Sequence, residues 1–77
     1  MKRTDFQCVV DYTCDTLDSL YDCVRDSTLN PIERERCRKD LVAVFNFLNE
    51  AKQHGFDIYT QYDLEDIKNE VLNAGKI

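Results

Sequence analysis

Apolar residues recur at helical spacing in three stretches of the chain. The first holds Phe6, Val9, Val10, Leu17, Leu20, Tyr21 and Val24. The second holds Cys37, Leu41, Val44, Phe45, Leu48 and Ala51, and the third Leu64, Ile67, Val71 and Leu72. At about 100° per residue, each set falls on one side of an α-helix. Local signals bound the three helices. Thr4 followed by Gln7 has the spacing of a capping box, which starts helix 1 near residue 5 and carries it to about residue 27. Asn30, Pro31 and Glu33 supply an N-cap, a first-turn proline and a second box, so helix 2 is expected over 31–54. Gly55 fits the left-handed position after its end. Thr60 with Asp63 reads as a third box, and Tyr59 with Leu64 as the hydrophobic staple around it. This predicts helix 3 over 61–73, stopped by Gly75.

The link 27–30 is too short for anything but an antiparallel turn between helices 1 and 2. Phe56, Asp57, Ile58 and Tyr59 read as an extended linker folded over the open end of that hairpin. Two glycines and one proline are too few for a turn-rich β fold. The expected fold is all-α, an antiparallel helical hairpin plus a shorter third helix, forming a single domain over residues 1–77.

The polar side of helix 1 is unusual. Asp11, Asp15, Asp18, Asp22 and Asp26 follow one another at steps of four, three, four and four. They share one face, opposite the apolar set. Aspartate is a poorer helix former than glutamate. Like charges at i, i+4 repel, and Asp22 and Asp26 sit where the helix dipole disfavours anions. A solvated outer face is the plain explanation of such a row. Compensation is expected for Asp22 and Asp26 from Arg34, Arg36, Arg38 and Lys39 across the hairpin. Asp11, Asp15 and Asp18 have no evident partner in the sequence. Carboxylates spaced at about 5–6 Å along a helix roughly match the spacing of phosphates along a nucleic-acid strand. The row is therefore a candidate nucleic-acid mimic.

The net charge of −5 disfavours direct binding to nucleic acid or anionic lipid and suits a basic protein surface. No stretch is long and apolar enough to span a membrane. No apolar run follows the Met-Lys-Arg-Thr-Asp start, so no export signal is expected and a cytoplasmic location with reduced thiols is. Cys8, Cys14, Cys23 and Cys37 form no CxxC motif, and His54 adds no cluster, so no metal site is expected. Cys23 and Cys37 sit at comparable levels of the hairpin. There is no glycine-rich phosphate loop, no HExxH and no EF-hand loop.

These features predict a small acidic protein that is not an enzyme and takes no cofactor. It would act as a regulator or inhibitor, docking Asp11, Tyr12, Asp15, Asp18 and Asp22 onto a basic surface of a partner protein, such as a nucleic-acid-processing enzyme. Small accessory proteins of bacteriophages share this general profile, but it fixes no residue. The alternative expectation is a homo-oligomeric structural or assembly protein, a homodimer at its simplest. It would use the apolar flanks of helix 2 at Ile32, Val42 and Phe47.

Overall fold

A computed structural model describes residues 2–74, Ala74 by its backbone alone. Three helices follow in order: α1 (Arg3–Arg25), α2 (Pro31–Gln53) and α3 (Leu64–Ala74). α1 and α2 form the antiparallel hairpin, and the shorter α3 packs on α2. The molecule measures 40 × 20 × 20 Å. Its long axis is set by helices of 23 residues, which rise about 34 Å each. No helix among the described residues is long and apolar enough to cross a membrane.

The core is one cluster of Val10, Cys14, Leu17, Tyr21 and Val24 from α1, Leu41, Leu48 and Ala51 from α2, and Ile67 from α3. Leu17, Leu41 and Ile67 are fully enclosed. Each is worth about 1.5–3 kcal/mol relative to an exposed position. Three positions depart from the helical pattern. Cys14, outside the apolar set of helix 1, lies inside the core, while Val9 and Leu72, at 42% and 54% exposed, lie outside it. Leu72 is displaced because α3 has one neighbouring helix to cover it and turns only a narrow stripe inward.

The ends of α2 form as their residues dictate. The Asn30 side chain accepts the Glu33 N–H at 2.9 Å, with Pro31 in the first turn. At the other end, Gly55 N–H donates to Lys52 O and Phe56 N–H to Ala51 O, while Gly55 takes φ +88°. That pair of bonds is a Schellman closure.

The starts of α1 and α3 differ from expectation. α1 begins at Arg3, and Lys2 precedes it without a side-chain cap. Thr4 lies within the helix, and Gln7 is used elsewhere. α3 begins at Leu64, three residues later than expected. Asp63 is its cap, accepting the Glu65 N–H at 2.8 Å, and the Thr60 hydroxyl turns to Tyr62 O instead. Tyr59 is exposed and staples nothing; Tyr62 and Ile67 occupy the equivalent positions around the Asp63 cap. The expected stop at Gly75 lies outside the described residues.

Phe56 does fold over the open end of the hairpin. Its ring centroid is 4.7 Å from that of Phe6, which lies 6.0 Å from Phe47, and the Arg3 guanidinium stands 4.2 Å above Phe56. From there the linker runs along α1 in the same direction as the helix.

Candidate functional site

The linker decides which aspartates of α1 remain free. Gln7 pairs with it as a second strand would. Its Nε2 donates to Asp57 O at 2.9 Å, and its Oε1 accepts the Asp57 N–H at 3.1 Å. Further along, the carboxylate of Asp18 accepts the Gln61 N–H at 2.8 Å, and the Tyr62 hydroxyl donates to Asp22. Four extended residues from Asp57 to Gln61 cover about 13 Å. The rise of α1 from Gln7 to Asp18 is about 16 Å, so the reach of the two side chains makes up the difference.

Asp18 is consequently buried, with 9% of its surface exposed. Its Oδ2 holds the linker, and its Oδ1 has no hydrogen-bond partner among the described residues. The expectation that Asp18 has no partner within the chain is corrected. By helical angle, Asp18 turns furthest of the five toward Cys14 and Tyr21, about 20° beyond Asp11. The linker covers that edge. The Cys14 thiol beneath it is pushed up in pKa by burial, partly offset by a hydrogen bond from the Tyr59 backbone, and raised further by Asp11, Asp18 and Asp15.

The expected compensation of Asp22 and Asp26 by the α2 arginines holds in one respect: after two stronger hydrogen bonds, the charge of Arg34 helps to lower the Asp26 carboxyl. Neither aspartate forms an ion pair with α2 among the described residues. Asp26 accepts both the hydroxyl and the N–H of Thr28, at 2.6 and 2.9 Å. These bonds hold its carboxyl below the usual carboxylate range, the hydroxyl first. Arg34 donates instead to Val24 O at 3.2 Å, one of the carbonyls that the end of α1 leaves open. Arg38 pairs with Glu35 at 3.7 Å and with Glu70 of α3 at 3.9 Å. Those two contacts are the ion pairs among the described residues. Both are partly exposed and worth under about 1 kcal/mol each.

Asp11, Tyr12, Asp15 and Asp22 are exposed on the outer side of α1, Tyr12 at 75%. Asp11 accepts from Gln7 Nε2 at 3.0 Å, the same nitrogen that bonds Asp57 O. That shared donor brings Asp57, also exposed, beside Asp11. Asp15 enters no ion pair among the described residues. Asp57, Gln7, Gln61 and Tyr62 were not legible as parts of this surface from the sequence. The one hint was the polar Asp57 within an otherwise apolar linker.

No family model, curated protein or solved structure matches this chain.

The surface is convex. The concavities lie elsewhere, the one of about 170 Å³ between α2, the linker and α3, lined by Phe45, Leu48, Ile58, Leu64, Lys52 and Lys68 among others. Among the described residues no three His, Cys, Asp or Glu side chains converge as metal ligands. The convex acidic face can present negative charge at fixed spacing to a complementary surface.

Proposed function

We propose that this protein is a small acidic binding protein without catalytic activity. It would dock Asp11, Asp15, Asp22 and the added Asp57, around Tyr12, onto a basic surface of a partner protein. The observation that carries this reading is the division of labour among the charges. Arg38 of α2 spends both of the ion pairs among the described residues on glutamates, while Asp11, Asp15 and Asp22 of α1 stand exposed beside a large exposed aromatic ring. An aromatic residue ringed by charge has the make-up of an interface anchor. In this reading Asp18 is a positioning residue: it holds the linker that carries Asp57 and Tyr62 to the face. A basic cleft that accepts a phosphate strand offers the charge such a helix needs, so a nucleic-acid-processing enzyme is the favoured class of partner and regulation or inhibition the favoured outcome.

The homo-oligomer reading rests on Ile32, which is 71% exposed, and on Phe47. Along α2 these two residues are about 22 Å apart, with the half-buried Val42 between them. Capture of partners from the native cell with wild-type protein and with Asp11→Lys/Asp15→Lys discriminates the two readings. Docking through α1 predicts a partner held by wild type, weakened by raised salt and lost by the variant. An unchanged set of captured proteins, or a wild-type dimer in solution that Ile32→Glu dissociates, would overturn it.

A further inference from the structure

Cys23 near the end of α1 and Cys37 near the start of α2 face each other across the hairpin. Arg34 donates to Val24 O at the closed end, and Arg3 to Gly55 O at the open end, at 2.9 Å. The antiparallel register fixed by these contacts puts the two cysteines level. The Cys37 thiol has the Cys23 thiol as a hydrogen-bonding neighbour. Helices packed 8–10 Å apart, with Cα atoms about 2.3 Å from each axis, bring directly facing Cα atoms to roughly 3.5–5.5 Å, and somewhat further where a residue lies off the line of centres. That spacing overlaps the window a disulfide requires. Both cysteines are half-buried, open to a small reagent yet held in place by the hairpin. The other two differ: Cys14 is enclosed in the core, and Cys8 stands exposed on the far side of α1.

We propose that Cys23 and Cys37 form a reversible dithiol–disulfide site that exchanges with a low-molecular-weight disulfide of the glutathione class. The step balances without another reactant. The Cys23 thiolate attacks one sulfur of the small disulfide, its S–S bond breaks, and one small thiolate leaves. The Cys37 thiolate then attacks the Cys23 sulfur of the mixed disulfide and expels the second. Two protein thiols are oxidised to one disulfide, one small disulfide is reduced to two thiols, and the two protein protons end on those thiols. Burial first, and then the Cys23 neighbour, push the Cys37 thiol up in pKa; the same exchange balances with the two cysteines in either order. The product would tie α1 to α2 just beyond the turn 26–30. The inference is independent of the docking surface.

The test treats the reduced full-length chain with oxidised glutathione at neutral pH and reads intact mass and a non-reducing peptide map. The expected result is a monomer with a Cys23–Cys37 linked peptide that dithiothreitol removes, any glutathione adduct being confined to the exposed Cys8. Cys37→Ser should instead accumulate one glutathione adduct on Cys23, with its helical circular dichroism retained. Wild-type protein that stops at glutathione adducts would overturn the site. So would a link through Cys8 or Cys14, or dimers only. The wild-type map decides the matter even if the variant fails to fold.

Discussion

Gln7 and Asp57, fifty residues apart in sequence, are joined by two hydrogen bonds between the Gln7 amide and the Asp57 backbone. A carboxamide carries a donor and an acceptor side by side, so it can donate to a carbonyl and accept from an N–H of one residue, which an ionised carboxylate cannot. Gln7→Glu keeps the acceptor, loses the donor and adds a charge beside Asp11. It is expected to destabilise the chain by about 0.5–1.5 kcal/mol in urea unfolding, the net worth of an exposed hydrogen bond. Faster amide exchange at Asp57, with unchanged exchange within α2, would mark release of the linker. Equal exchange rates in both proteins would rule the pairing out.

Asp15 and Asp18 are three residues apart on one face, yet they have different work to do. Asp18→Ala leaves the Gln61 N–H without its partner and should cost about 1–3 kcal/mol. Asp15→Ala should stay within about 0.5 kcal/mol of wild type. Equal costs would mean that the linker does not bind the edge of α1.

Gly55 combines a positive φ with a close neighbour. A Cβ there would meet the Arg3 Nη2 at 3.2 Å. Gly55→Ala is expected to cost about 1 kcal/mol, mainly through the backbone. Adding Arg3→Ala should therefore not restore the loss, because a side-chain end can move aside and a left-handed backbone cannot. Thermal melts of the single and double variants read this directly.

Tyr62 donates its hydroxyl to Asp22, and loss of that proton would set two negative groups together. Its phenol is accordingly held above the ordinary tyrosine range, the hydrogen bond first and burial second. The folded chain binds this proton more tightly than the unfolded chain. The stabilisation is therefore fully present below about pH 10 and is lost as pH rises through the raised folded-state value. Ultraviolet titration of the tyrosines should show one late-ionising group that disappears in Tyr62→Phe. The same titration of Asp22→Asn should bring that group back toward the others.

The three amphipathic stripes were legible from the chain alone, and so was the order of the helices. Asn30 with Pro31 and Gly55 also announced the ends of α2, because capping and left-handed geometry act within a few residues of sequence. The starts of α1 and α3 misled for a related reason. Gln7 and Thr60 have the right spacing for local caps, but Gln7 found a better partner in Asp57. Thr60 yielded the cap to Asp63, which leaves residues 56–62 free to stay extended along α1.

The five aspartates show where sequence stops. Helical periodicity places them on one face and can say no more, since every residue of a row has the same local pattern. A linker from the other end of the chain separates Asp18 and Asp22 from the rest, while Asp26 is held locally by Thr28. The linker covers the edge that Asp18 occupies, brings Tyr62 to Asp22 and sets Asp57 beside Asp11. Short-range preferences fixed the helices, the hairpin and the existence of an acidic face. Only long-range packing decided that Asp18 and Asp22 are engaged by the linker, because a carboxylate's role depends on the donor that reaches it: their donors, Gln61 and Tyr62, lie 43 and 40 residues away, whereas Asp11 and Asp26 find theirs four and two residues away.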